Sequence, residues 1–270
     1  ETLIRLTLAI PGVRLGQTFC HYESFVPFQV GPFKITPFLT DHSAFDAHML
    51  LVEVGGKRIF YSGDFRRTGR KAVLVRRLLD VPPSAIDLLL MEGTALGRQE
   101  RYPTEQELEE RFTNLFERTL GRVFVTWSAQ NVDRTVTIYR ACKAAKRTLI
   151  VDLYTAGILD KVGVFGPCPW ERRYPPFKTV VTGGNSWLYR KADRLNDPAF
   201  VDRIAASGAA FSAKKLEGSP QKNVIMVRPG RLQADYEKAG VRPTSHDAWS
   251  LSMWSGYLTR PDYPKFGELD

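Results

Sequence analysis

The feature that most constrains the fold is a pair of glycines between two runs of strand-forming residues. "AHMLLVEV" (47–54) and "KRIFYS" (57–62) flank Gly55 and Gly56. Glycine readily adopts the left-handed backbone that a two-residue hairpin turn requires. The pattern therefore predicts an antiparallel hairpin with this glycine pair at its tip.

The register of this hairpin brings candidate functional residues to one edge of the sheet. If Val54 pairs with Lys57, His42 and Asp64 both fall at the open end, in loops of the kind that carry ligands. An imidazole among carboxylates suits Zn²⁺ or Mn²⁺. Two candidate ligands are fewer than such a site needs, and spacing alone favours ordinary solvated turns. The acidic residues that we expect near the same edge are Asp41, Asp46 and Glu92.

Other segments of the first hundred residues also carry local signals. "FKITPFL" (33–39) alternates as a strand does, and "AVLVRRLL" (72–79) is typical of a short helix closed by prolines. "AIDLLLME" (85–92) is mostly apolar, which predicts a strand buried on both faces. His48 falls within a predicted strand, where a structural role is the favoured interpretation.

The character of the chain changes after Glu92, towards alternating helices and strands. Thr104 and Glu107 have capping-box spacing and predict a helix start. "RVFVTW" (122–127) predicts a strand, 131–146 a helix and 148–154 a second strand. This is the length of a parallel crossover unit, so we predict an α/β layer.

Signals beyond this crossover are weaker. The stretch 163–188 is rich in Pro, Gly and aromatic residues and is interpreted as a loop. We predict a strand at 223–229, a helix at 232–240 and a last strand at 248–254. Asp152 ends a predicted strand, and capping of the next helix is slightly favoured over the positioning of a loop.

The charge distribution favours an anionic partner. The net charge is +9, of which residues 1–96 carry +2 and residues 97–270 carry +7. An excess of this kind suits nucleic acid, although charge alone is a weak indication. No apolar run approaches the roughly 18 residues of a membrane span. Cys20, Cys142 and Cys168 form no metal-binding pattern, which favours the cytoplasm as location.

Longer stretches resemble a known family. "TDHSAFDAHMLLVEVGGKRIFYSGDFRR", followed by "LLLMEGTALGR", resembles the metallo-β-lactamase fold, in the β-CASP branch that includes ribonuclease J. "VTWSAQNVDRTVTIYRACKAAKRTLIVDLYTAGIL" resembles the start of the β-CASP cap domain, and "SLSMWSGYLTRPDYPK" its end. The resemblance implies an α/β protein. Residues 1–98 would form part of a metallo-β-lactamase αβ/βα sandwich, and residues 99–270 an inserted cap.

The resemblance also implies roles for individual residues. His42 matches a ligand of one metal, and Asp64 a carboxylate that bridges two metals. Glu92 matches an acid that orients a metal-binding histidine, as carboxylate–histidine pairs do. Asp64 and Glu92 are thus the implied catalytic residues. The residues that match a stretch near the substrate phosphates are Ser128, Asn131 and Arg134.

A basic run follows Asp64 directly. Arg66 and Arg67 begin a set of six basic residues between Phe65 and Leu79, with no acid among them. One interpretation is a rim that contacts substrate phosphates, and the other is a solvated helix face. The sequence gives the two equal weight.

The chain also departs from the family pattern. The family's His-x-His-x-Asp-His motif, expected upstream of the hairpin, is absent from these 270 residues, and so is its later His-x-Ser-Gly-His segment. His246 precedes the position of that segment and does not match it. We therefore expect an internal piece of a longer protein, with little or no activity alone.

The implied activity is metal-dependent phosphodiester hydrolysis by a ribonuclease. Two Zn²⁺ ions, or Mn²⁺, would serve the full-length site, and single-stranded RNA would be the substrate. Two alternatives stay open: a small-molecule hydrolase of the same fold, and a non-catalytic nucleic-acid-binding relative. Assembly as a homodimer is also left open.

Overall fold

The chain forms two compact units, Gln17–Leu108 and Glu1–Gly16 together with Glu109–Asp270. A sheet and α-helices occur in both, which confirms the predicted α/β class. The computed structural model describes residues 2–9, 11–13, 16–97, 99, 101–163, 177–191, 195, 197–218, 220–228 and 230–253.

The smaller unit, residues 17–108, is built on a five-stranded sheet in the order β1-β2-β3-β4-β5. Neighbouring strands are antiparallel except β5, which runs parallel to β4. A helix follows β4 along the chain. The elements are β1 (Phe28–Val30), β2 (Phe33–Leu39), β3 (His48–Val54), β4 (Lys57–Tyr61), α2 (Ala72–Asp80) and β5 (Leu88–Leu90).

The predicted hairpin is confirmed in both its turn and its register. Val54 pairs with Lys57, and the ladder continues to Leu50 opposite Tyr61. Gly55 and the glycine after it have φ values of 55° and 75°. Positive φ at both central residues is the mark of a type I′ turn, whose twist matches that of the strands.

One face of this sheet forms the core of the smaller unit. Met49 and Leu51 alternate along β3, and Phe60 lies opposite Leu51 on β4, so all three side chains point the same way. They are buried. The partly buried side chains that pack against them are Phe38, Phe65, Leu78 and Ile86.

The prediction of a strand buried on both faces at 85–92 is wrong. Only Leu88–Leu90 form a strand, and these three leucines are 48%, 55% and 46% exposed. The physical reason is position in the sheet. Within the described residues β5 pairs with β4 alone, so it is an edge strand without a covering layer on its second face.

The larger unit contains a six-stranded sheet in the order β11-β6-β10-β7-β8-β9, and every neighbouring pair is parallel. Helix α3 (Glu105–Arg118) precedes its first strand. The other elements are α1 (Thr2–Ala9), β6 (Val123–Thr126), α4 (Val132–Ala144), β7 (Thr148–Asp152), α5 (Leu153–Val162), β8 (Phe177–Val180), α6 (Gly183–Arg190), α7 (Pro198–Ala206), β9 (Ala210–Phe211), β10 (Asn223–Met226), α8 (Arg231–Lys238) and β11 (Ala248–Leu251).

The predicted crossover is confirmed as β6, α4 and β7, with β10 lying between the two strands. Every residue of β6 and β10 is buried, as expected when helices cover both faces of a parallel sheet.

The predicted capping box at the start of α3 is also present. Thr104 Oγ1 accepts the Glu107 N–H at 3.2 Å, and the Glu107 carboxylate accepts the Thr104 N–H at 2.7 Å.

The interpretation of 163–188 as a loop is wrong where the structure describes it. β8 lies within this stretch and α6 begins in it, at Gly183. Thr182 makes this start possible, because its hydroxyl accepts the Asn185 N–H at 3.4 Å. Helix α1 was not predicted either. Residues 164–176, which include Cys168, lie outside the described residues.

In the described part of the chain, no helix combines the length and the apolarity needed to cross a membrane.

The exposed edge strand β5 predicts self-association of the 270-residue chain, since an open apolar edge can pair with another copy. Leu90→Lys should weaken this association, because a charge on the edge opposes pairing. Sedimentation velocity over a range of concentrations measures the effect. Leu120→Lys, at an exposed loop position, is the control. If both variants associate as the parent does, β5 is not the contact.

Candidate functional site

Three sequence-predicted residues lie at one edge of the sheet of the smaller unit. β2, β4 and β5 run in the same direction, so their carboxyl ends meet at that edge. His42, Asp64 and Glu92 follow these three strands in turn. Both carboxylates lie close enough to His42 to act on the pKa of its imidazole. The structure therefore brings the three together, while their chemical roles stay predictions.

Glu92 is held in a fixed orientation. Its Oε2 accepts the Thr94 hydroxyl at 2.6 Å, and its Oε1 accepts the Phe65 N–H at 2.8 Å. These two bonds, the Thr94 bond first, lower the pKa of the Glu92 carboxyl. Because Phe65 directly follows Asp64, the carboxylate of Glu92 also fixes the backbone that carries Asp64.

His42 is kept neutral by its surroundings. Burial lowers the pKa of the imidazole, and Asp64 opposes this effect in part. His42 Nδ1 accepts the Ala44 N–H at 3.1 Å. In the neutral ring the proton therefore resides on Nε2, which can donate a hydrogen bond.

A buried ion network connects the loops on either side of the hairpin. Asp41, next to His42 in the chain, is fully buried. Its carboxylate accepts the Gly69 N–H at 2.8 Å and Arg66 Nε at 3.4 Å, and its carbonyl accepts the Arg66 N–H at 2.7 Å. The Arg66 guanidinium also lies 3.7 Å from the buried Glu105. This network fixes the segment after Asp64 against the segment that carries His42.

The network leaves no space for a side chain at Gly69. A Cβ built there would overlap a carboxylate oxygen of Asp41 and lie 2.6 Å from Arg66 Nε. Glycine is therefore required by close approach of the backbone, at a position that the sequence analysis did not single out.

In the basic run after Asp64, some side chains bond within the fold and at least one faces solvent. Arg66 belongs to the ion network, and Lys71 Nζ donates to the carbonyls of Ala44 and Phe45 at 3.4 and 2.7 Å. Arg67, by contrast, is exposed. Of the two arginines predicted to contact substrate, Arg67 is the one whose side chain faces solvent.

The structural interpretation of His48 is confirmed. Its side chain is 4% exposed, its Nε2 lies 2.8 Å from Ser24 Oγ, and its ring packs edge-on against Tyr22.

Ser128, Asn131 and Arg134 lie in the larger unit, where β6 leads into α4. Asn131 is the helix N-cap, because its side chain accepts the Arg134 N–H at 3.2 Å. The Arg134 guanidinium donates to the carbonyl of Ser252 at 3.2 Å and also to its hydroxyl. Ser128 is exposed. Two of the three residues thus serve the local structure, whatever they contact in addition.

Asp152 is confirmed as a helix cap, and it has a partner that the sequence did not indicate. Its carboxylate accepts the Thr155 N–H at 2.9 Å, the N-cap bond of α5. The same carboxylate pairs with Arg228, whose guanidinium lies over the Tyr154 ring at 5.3 Å. Arg228 follows β10, so the pair lies at the carboxyl edge of the parallel sheet.

The described residues do not fit a two-metal centre by themselves. Among them, no group of three or more His, Cys, Asp or Glu side chains could hold an ion, whereas zinc requires three or four ligands. His42 Nδ1 accepts a backbone N–H, and both oxygens of Glu92 accept hydrogen bonds.

Comparison with known proteins finds a curated relative and solved structures of similar fold. No protein-family model matches the chain. Over 84% of its length, the chain is 24% identical to Endoribonuclease YSH1 of Mycosarcoma maydis. It spans 24% of that protein, about a quarter of its length.

One solved structure of similar fold is that of a protein of unknown function from Enterococcus faecalis V583. It matches with a TM-score of 0.61 at 17% identity, over 84% of this chain and 51% of the other. This likeness shows a shared fold alone.

The electrostatic environment of His42 predicts its titration. In metal-free protein the imidazole should titrate below the pH usual for histidine, because burial disfavours the charged form. Asp64→Asn should lower the midpoint further, since it removes a negative charge that favours the imidazolium. Asp46→Asn is the control, because Asp46 is not among the charges that act on His42. Imidazole ¹H–¹⁵N NMR measures the His42 titration midpoint in the parent protein and in both variants. An unchanged midpoint in Asp64→Asn would show that the two groups do not interact.

Proposed function

We propose that the chain is part of a ribonuclease-type hydrolase of phosphodiester bonds, to which it contributes His42, Asp64 and Glu92. The observation that carries the proposal is the meeting of these residues at one sheet edge. The similarity to an endoribonuclease over 84% of the chain supports it. In this proposal residues 1–98 are a metallo-β-lactamase-like portion and residues 99–270 a β-CASP-like cap.

Each residue of the cluster has a distinct capacity. Asp64 is exposed, and its carboxylate makes no hydrogen bond within the described residues, so it is available to an incoming ligand. Glu92 holds the backbone next to Asp64. His42 presents an N–H at Nε2 and stays neutral at neutral pH. Together they provide one accessible anion and one N–H donor at the same sheet edge.

Dependence on Zn²⁺ or Mn²⁺ belongs to the same proposal. Because the described residues supply too few ligands, we assign to this chain only His42 and Asp64 as contributions to a metal site of the longer protein. To bind a metal through Nε2, His42 would have to move its ring proton to Nδ1 and give up the bond from the Ala44 N–H. Location in the cytoplasm and assembly as a homodimer stay predictions.

The proposed substrate is single-stranded RNA. The excess of positive charge in residues 97–270 suits a polyanion, and exposed Arg67 directly follows the segment that carries Asp64. A small substrate would make no use of charge spread over so much of the chain.

The catalytic proposal is tested in the longer protein loaded with Zn²⁺ or Mn²⁺. Asp64→Ala should abolish cleavage of a labelled single-stranded RNA, because it removes the accessible carboxylate. Asp46→Ala, which removes another exposed carboxylate, should leave cleavage unchanged. Full cleavage by Asp64→Ala would refute the assignment. RNA binding without cleavage by the parent protein would identify a non-catalytic relative.

The two adjacent arginines should separate binding from stability. Arg67→Ala should weaken RNA binding and reduce the salt dependence, the slope of log K against log salt, by about 0.7, the contribution of one phosphate contact. Arg66→Ala should instead lower the free energy of unfolding by about 3 kcal/mol, because it leaves buried Asp41 without its partner. Filter binding and chemical denaturation measure the two effects. If Arg66→Ala weakened RNA binding at unchanged stability, the structural role of Arg66 would be wrong.

A further inference from the structure

A cavity of about 300 Å³ opens to solvent in the larger unit, between α8 and the strands β6 and β11. Its volume is at the lower end of the range found for small-molecule sites. The cavity lining shares no residue with the cluster around His42, and its interpretation does not depend on the proposed function.

The walls of the cavity are largely apolar and aromatic. Phe124 and Tyr236 are buried members of the core, and Val227 and Val241 join them in the lining. Trp249 of the edge strand β11 also lines the cavity and is 38% exposed. A ligand with an apolar body would bury these surfaces.

The polar atoms of the aromatic side chains are already used within the fold. The Tyr236 hydroxyl donates to the carbonyl of Met226 at 2.9 Å, and the Trp249 indole N–H donates to Thr126 Oγ1 at 3.0 Å. Both rings are therefore fixed in orientation and contribute aromatic surface to the cavity rather than hydrogen-bond donors.

The charge of the lining is negative. Among the described lining residues are two carboxylates, Glu237 and Asp247, and no lysine or arginine. Asp247 is neutralised by Arg122 at 2.6 Å. One oxygen of the exposed Glu237 side chain accepts Gln233 Nε2 at 2.9 Å, and the other makes no hydrogen bond in the part of the chain that is described. The Arg242 guanidinium nearby donates to the backbone carbonyl of Glu237 instead.

We infer that this cavity binds a small organic cation with an apolar body, of the arylalkylammonium class. The ammonium group would lie between the Glu237 carboxylate and the rings of Tyr236 and Trp249, because aromatic faces attract cations. The Phe124 ring already carries the Arg122 guanidinium at 5.3 Å, so it serves as an apolar wall. An anionic ligand such as a nucleotide would bring negative charge to Glu237 and is disfavoured.

Three matched probes test the charge preference in the 270-residue chain. Phenethylammonium is cationic, 2-phenylethanol is its neutral counterpart, and 3-phenylpropanoate is anionic. The indole N–H signal of Trp249, followed by NMR at constant ionic strength, reports binding. The cation should bind at least about fivefold more tightly than the alcohol, and the anion more weakly still. Equal affinity for cation and alcohol, or binding of none of the three, would overturn the inference.

Variants then test the assigned side chains. Glu237→Gln should weaken phenethylammonium binding about fivefold and leave 2-phenylethanol unaffected, because it removes charge while preserving shape. Trp249→Leu should weaken binding of the cation as well, with the signals of neighbouring amides as the readout. Glu110→Gln, at an exposed glutamate of α3 outside the cavity lining, is the control. Unchanged affinity in Glu237→Gln would refute the site.

Discussion

The buried pairing of Asp41 with Arg66 is the interaction on which the candidate site depends. A carboxylate removed from water is stable only when it is paired and hydrogen-bonded. Asp41 obtains both from Arg66 and Gly69, residues that follow β4. The segment carrying Asp64 must therefore lie against the segment carrying His42. Strand pairing alone, which ends at Tyr61, would not fix that approach. Removal of the pair would loosen the geometry around His42.

The parts of the fold that could be predicted from sequence are those with a local physical cause. Gly55 and Gly56 determine the turn, and the turn determines the register. Thr104 and Glu107 determine a helix start. The exposure of Leu88–Leu90 could not be predicted, because an apolar strand is buried only if another layer covers it, and composition carries no information about that layer. The prediction of a loop around Gly183 was wrong for a related reason. Glycine is typical of loops, but the side chain of Thr182 caps a helix that begins at this glycine.

For the candidate site, the position of the main residues could be predicted from the sequence, but the partners of individual side chains could not. The meeting of His42, Asp64 and Glu92 follows from strand direction, which the hairpin register and the resemblance together indicate. The difference between Arg66 and Arg67 does not follow, because neighbouring positions in a basic run look alike until their partners are known. Asn131 and Arg134 likewise matched a motif, yet their visible bonds are a helix cap and a link to Ser252. A motif match identifies which positions to consider, but the hydrogen-bond and ion-pair partners in the fold show the role of each side chain.

The distribution of ion pairs distinguishes structural acids from acids available to ligands. Asp41, Asp152 and Asp247 each pair with an arginine of the same unit: Arg66, Arg228 and Arg122. These charges are satisfied internally and contribute to the fold. Asp64 and Glu237 differ, because both are exposed and neither is paired with a cation within the described residues. Water stabilises such a charge at little cost, so the fold does not require it. These two exposed acids are the ones that the proposals assign to ligands: Asp64 at the sheet edge that carries His42, and Glu237 at the aromatic cavity.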